Sequence, residues 1–194
     1  MNTNASLREL ATRAGVHFGA AAVPGLLTRA PRYAALLASN CTVLVAENHM
    51  KMKYLQPHYG IFNFSAADTL LHFAEQHGQR MRGHTLIWHC MPPSWLETTS
   101  WSRAELLDIL HSHITTVMHH YKGRVYAWDV VNEAISDDGS LRTSLCTMSS
   151  ARSILISPSN APTPRIRMRS CSTTITPPRA SIQNPMPSTI LSAA

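Results

Sequence analysis

After Asp138 the sequence contains no acidic residue at all. Residues 146–194 also lack Trp, Tyr and Phe, while holding seven of the twelve prolines and sixteen Ser or Thr. Such a stretch has little with which to build a core, so composition predicts an irregular, disordered tail there. The missing acid also removes a nucleic-acid reading of the net charge of +6. Residues 1–145 carry 12 Lys or Arg against all 11 Asp and Glu, and the remaining five Arg lie in the tail. The basic balance therefore describes no binding face, and no nucleic-acid partner is expected. Cysteine is scarce: Cys41, Cys90, Cys146 and Cys171 show no CxxC spacing, which excludes a zinc ribbon or a dithiol redox motif. Long apolar runs are absent too, and MNTNASLRELATRAG lacks the apolar centre of a signal peptide. Neither a membrane partner nor export by that route is expected, and the compartment stays open. At 194 residues the chain is also shorter than the ~250 that a complete eight-stranded α/β barrel typically needs.

What is present is alternation. SLRELATRA, Ser6 to Ala14, predicts a short helix stopped at Gly15, followed by a first strand over Val16 to Ala21. A helix is expected from Pro31 to Ser39, and Cys41 to Ala46 reads as a buried strand. Ser65-Ala-Ala-Asp68 has the form of a capping box, and Leu70, Leu71, Phe73 and Ala74 give a helical stripe ending at Gly78. Arg80 to His89 is the third strand. Ser102 to Glu105 is a second capping box, opening a helix with Leu106, Leu107, Leu110, Ile114 and Val117 at helical spacing and a stop at Gly123. Val125 to Ala134, VYAWDVVNEA, is β-branched, aromatic or small apart from Asp129, and predicts a strand buried on both faces. Four strand–helix alternations build a parallel sheet. From the second strand onward each ends in polar groups, where barrel enzymes place catalysis.

Three of those strand ends are specific. Glu47-Asn48-His49-Met50-Lys51, Arg82-Gly83-His84-Thr85-Leu86-Ile87-Trp88-His89 and Trp128-Asp129-Val130-Val131-Asn132-Glu133-Ala134 resemble, in order and spacing, glycoside hydrolase family 10. The resemblance runs in frame from about Gly15 to Leu145. It implies an α/β fold, the first half (about four βα units) of a TIM (β/α)8 barrel over residues 1–145, and endo-1,4-β-xylanase chemistry on xylan or xylo-oligosaccharide, with no cofactor and no metal. By the same correspondence Glu133 matches the general acid/base and Asn132 the amide that binds the sugar 2-hydroxyl. Glu47, Asn48 and Lys51 match a polar cluster holding the neighbouring xylose, and His84 and Trp88 match residues around the sugar being cleaved. Two positions depart mildly, Met52 and Cys90, and neither is expected to touch the acid/base. The serious departure is the family's nucleophile, a second Glu late in the chain, for which no residue after Asp138 can serve.

Other readings compete with this one. Glu47 and Lys51 could form a surface ion pair, His84 and His89 could be core histidines, and Trp88 could be packing alone. His111, His113, His119 and His120 suggest metal ligands, but they sit on or near a crossover helix and are expected to be solvated there. A half-barrel that only holds xylan, or pairs with another half, is the alternative function; a metal-dependent barrel hydrolase is the third.

The tail carries one more expectation. If TGG lost a base in CTC TGG TAC GAT GAG CTC GGC, the new frame reads Leu145-Cys146-Thr147-Met148-Ser149-Ser150-Ala151, as found. Carried on, the shifted frame can recover a helix-like YIDIAFQRAH and a strand ending in YNDY, both resembling the family's next stretch. Residues 146–194 are therefore expected to be an out-of-frame translation.

Overall fold

The computed structural model describes residues 5–140 and Arg142. The expectations for residues 146–194 lie outside the described residues. In chain order the elements are α1 (Leu7–Arg13), β1 (Gly19–Ala22), α2 (Pro24–Arg29), α3 (Pro31–Asn40), β2 (Val43–Ala46), α4 (Met52–Leu55), α5 (Ser65–Gln76), β3 (Arg80–Trp88), α6 (Ser94–Glu97), α7 (Arg103–His120) and β4 (Val125–Asn132). The four strands form one parallel sheet in the order β1-β2-β3-β4. Sequential parallel strands joined by helices are the βαβ arrangement that the alternation requires.

Helix boundaries follow local chemistry. Ser6 caps α1 and Ser102 caps α7, each in a reciprocal capping box with Glu9 or Glu105. Gly78 (φ +60°) and Gly123 (φ +78°) supply the left-handed turns after α5 and α7. The expected capping box at Ser65 is not formed. Phe64 is the N-cap, and Ser65, already inside the helix, gives its N–H and hydroxyl to Asn63 Oδ1 at 3.1 and 2.7 Å. Asp68, its supposed partner, faces His120 instead. Strand β1 begins at Gly19, three residues later than expected. Helix α2, whose Pro24 stands at the helix start, had no apolar stripe to announce it.

The core lies between the sheet and the helices. Leu44, Ala46, Met81, Leu86 and Ile87 from the strands meet Leu37, Leu70, Leu71, Ala74, Leu110 and Val117 from α3, α5 and α7. Burying one such Leu contributes on the order of 2 kcal/mol. Strands β3 and β4 close up at Gly83, where an added Cβ would stand 2.2 Å from the Trp128 ring. That close approach is what the Gly in Arg82-Gly83-His84 permits. Strand β4 is not buried on both faces as expected: every residue in it is half-buried or exposed. Among the described residues it is an edge strand, so one side has no neighbour to cover it.

The two ends of the sheet differ in kind. Where chains enter the strands, Arg8 ties down the helix ends, donating to the carbonyls of Ala38, His77 and Gly78 at 3.1, 2.9 and 3.1 Å. The register pairs Ala22 with Ala46 and Trp88 with Asn132, which aligns the carboxyl ends on the opposite side. The polar side chains gather there.

Candidate active site

Glu133 follows the last residue of β4 and has φ +52°. A left-handed conformation at a non-glycine residue is held by its surroundings rather than by its own preference. Two contacts surround it. Trp88 Nε1, at the end of β3, donates to Glu133 Oε2 at 3.0 Å, and Arg142 Nε donates to the Glu133 carbonyl at 3.2 Å. His89 Nε2 lies 3.9 Å from the same carboxylate oxygen. The Trp88 ring is in turn covered by Lys51, whose Nζ stands 4.7 Å from the ring centroid and donates to Asn48 Oδ1 at 2.8 Å. Asn48, Lys51, Trp88 and Glu133 thus form one continuous chain of contacts across the ends of β2, β3 and β4.

Lys51 is 7% exposed, so the surface ion-pair reading of Glu47 and Lys51 does not describe it. Burial pushes its pKa down, while Glu47, Cys90 and Glu133 pull it back. Glu47 is itself exposed and acts on Lys51 through its charge. Asn132 lies opposite Trp88 in the sheet register and is half-buried.

His84 belongs to a second group one step back from the strand ends. Its Nδ1 is 3.0 Å from Asp129 Oδ2, and Arg82 grips both oxygens of the same carboxylate, Nε at 3.1 Å. Burial works against the charged carboxylate, but the hydrogen bonds from His84 and Arg82 win and hold its pKa below the usual value. Thr85 Oγ1 donates to the Asp129 carbonyl at 2.8 Å, which locks the two strands at this level. The imidazole is therefore bonded to a carboxylate and not to backbone, and its Nδ1–H tautomer is set by that bond. Arg82 and Asp129 were quoted within the motifs without a role; an Arg and an Asp on separate strands give no sequence signal that they pair.

One expectation needs correction and one needs sharpening. His113 is fully buried and not solvated: Nδ1 meets Gln56 Oε1 at 2.9 Å, and burial pushes its pKa down to about 4. His120 is exposed as expected, its ring stacked on Phe64 with centroids 3.8 Å apart and bonded to Asp68 at 3.0 Å. Cys90 stands closer to Glu133 than its mild departure suggests: its Sγ, His89 Nε2 and a Glu133 carboxylate oxygen all lie within 4.8 Å of one another. Met52, the other departure, is buried in α4.

This geometry accompanies a clear relationship. Residues 6–153 match the family model described as glycosyl hydrolase family 10. The chain belongs to that family. It is 41% identical over 145 residues to endo-1,4-beta-xylanase 1 of Humicola insolens, covering 73% of this chain and 34% of that protein. To endo-1,4-beta-xylanase B of Thermotoga neapolitana it is 40% identical over 141 residues, covering 72% and 41%. Among solved structures, xylanase 10B of Thermotoga petrophila in complex with xylobiose superposes with a TM-score of 0.75 at 36% identity, covering 80% of this chain and 48% of that one. The family 10 chain thus spans about two fifths of the length of the curated relatives it matches, and its sheet is part of a TIM barrel.

Proposed function

We propose that this chain carries the acid/base half of an endo-1,4-β-xylanase site, acting on xylan or xylo-oligosaccharide. The observation that carries the reading is the contact chain Asn48–Lys51–Trp88–Glu133 at the carboxyl ends of parallel strands. Glu133 is the general acid. With Oε2 held by the Trp88 N–H, Oε1 is left to carry the proton toward the glycosidic oxygen. Asn132 binds the 2-hydroxyl of the sugar under attack, a bond that strengthens as the ring gains oxocarbenium character. Trp88 offers its indole to that sugar, and His84, its tautomer set by Asp129, presents Nε2 to a hydroxyl. Glu47, Asn48 and Lys51 hold the next xylose by charge-assisted hydrogen bonds.

Retaining hydrolysis needs a second carboxylate about 5–5.5 Å from the first. This polypeptide offers no acidic residue after Asp138. By itself it therefore binds xylo-oligosaccharide without turning it over, which is where the reading of a non-catalytic half-barrel meets this one. Binding is tested by titrating xylobiose and following tryptophan fluorescence. A saturable change lost in Trp88→Phe supports the reading, and no change with either protein overturns it. Reducing-sugar release from xylan above that of a Glu133→Ala control would sink the claim of no turnover. The acid-free stretch after Leu145 also motivates the out-of-frame origin of residues 146–194. Sequencing the gene decides it: a TGG in place of the Cys146 codon, followed by a long open frame with a second catalytic Glu, is the expected result. A confirmed TGT and no such frame defeats it.

A further inference from the structure

His89 and Cys90 follow directly on β3, and Glu133 follows directly on β4. The backbone brings three different ligand types to one spot: an imidazole, a thiol and a carboxylate. Cys90 Sγ is 3.0 Å from His89 Nε2, His89 Nε2 is 3.9 Å from Glu133 Oε2, and the three ligand atoms fit within 4.8 Å. Around a tetrahedral zinc-type ion with bonds of about 2.0–2.3 Å, ligand atoms stand roughly 3.3–3.7 Å apart. The observed triangle reaches that shape if the Cys–His separation opens by a few tenths of an ångström and the wider separations shorten. No backbone has to move far, because two of the ligands are neighbours in sequence and the third is on the adjacent, paired strand.

We propose that His89 Nε2, Cys90 Sγ and Glu133 form a site for one borderline-to-soft divalent cation, of the Zn2+ and Cd2+ class. The donor set selects that class: a thiolate with an imidazole favours it over Mg2+ or Ca2+, which require oxygen ligands. Cys90 is exposed, so an ion can arrive from solvent, and with three protein ligands a fourth position stays open to water. His89 Nδ1 is buried, so Nε2 is the ring atom that can ligate. Thiolate and carboxylate together neutralise a divalent charge. The cationic neighbours felt at this spot, Lys51 and Arg142, then face a centre with no net charge. Binding requires no redox step. The Cys90 thiol releases one proton to solvent as its sulfur bonds the ion.

The consequence for catalysis rests on the reading of Glu133 as general acid: an ion held there occupies the carboxylate that must deliver the proton, and so blocks it. The binding site itself does not depend on that reading, and neither does its test. The full-length chain carrying Cys146→Ser and Cys171→Ser is titrated with Cd2+, and the ultraviolet charge-transfer band of a Cd2+–thiolate bond is followed. A band saturating at one ion per chain is expected, displaced by Zn2+ and abolished by Cys90→Ser. His89→Gln and Glu133→Gln should each weaken Cd2+ binding at least about tenfold, as losses around metal sites do. In the unsubstituted chain, Zn2+ should protect the Cys90 peptide from iodoacetamide, and EDTA should restore labelling. A band unchanged by both His89→Gln and Glu133→Gln would mean a thiol acting alone and overturn the proposal. So would labelling of Cys90 that Zn2+ leaves untouched.

Discussion

The histidines of α7 and those of β3 make an instructive pair of sets. His113 and His120 face the sheet side and the α5 side of a helix, where one is sealed against Gln56 and the other lies flat on Phe64. His84 within β3 and His89 just past its end are each within reach of a carboxylate, Asp129 or Glu133. The residue type is the same and the surroundings differ. Packing consumes His113, whereas His84 and His89 keep a carboxylate neighbour and partial contact with solvent, as His120 does with Asp68. Position in the fold, not residue type, decides which of them is sealed from solvent.

The contrast is testable, most severely at His113. His113→Ala leaves a cavity under the sheet and strands the Gln56 side-chain Oε1, for an expected loss of about 3–5 kcal/mol in denaturant unfolding. A strand-end change of similar size, His89→Ala, should cost much less. If the two were equal, the division between packing and chemistry would fail.

The next effect is a pH limb. Burial pushes His113 from 6.5 to about 4, so between those values the unfolded chain takes up a proton that the folded chain refuses. Stability is then full above pH 6.5 and falls as the pH drops toward 4, by on the order of 3 kcal/mol in all. His49 and His89, also pushed down by burial, add to this limb. The His113 share is therefore the difference between the protein and His113→Gln in urea midpoints across that range. Asp129 acts with the opposite chemistry in a lower window. Its depressed pKa stabilises the fold above the ordinary value of 3.8, and this is lost only as the pH falls below it.

Smaller still is Trp88→Phe, which keeps an aromatic ring but loses the indole N–H that bonds Glu133. We expect at most about 1.5 kcal/mol of stability and the loss of the xylobiose response. The smallest change is His120→Ala. Its bond to Asp68 is partly exposed, and about 0.2–1 kcal/mol is expected in thermal unfolding, with xylobiose binding unaltered.

Much of this was readable from the chain, for reasons that lie close to the backbone. Capping boxes at Ser6 and Ser102 work because both partners sit within one helical turn. Glycines after α5 and α7 work because few other residues take a left-handed turn readily. The same local logic failed at Ser65, where Asn63 competed for the serine and His120, far away in sequence, took Asp68. Cys90 looked remote from Glu133 because sequence separation says nothing about neighbours across a parallel sheet.

By itself, then, the sequence determined the alternation of strands and helices, the polar ends of the strands and the residue types Glu133, Trp88, Lys51 and Asn48. Period, capping and strand-end polarity are written in residues that are near one another in the chain. Only the tertiary structure decided which of these meet: that Lys51 is buried over Trp88, that Trp88 holds Glu133, that Asp129 binds His84 and Arg82, and that His113 is sealed while Cys90 comes near Glu133. Those contacts bridge separate strands and helices, and their geometry is set by sheet register and helix packing, which no single segment specifies.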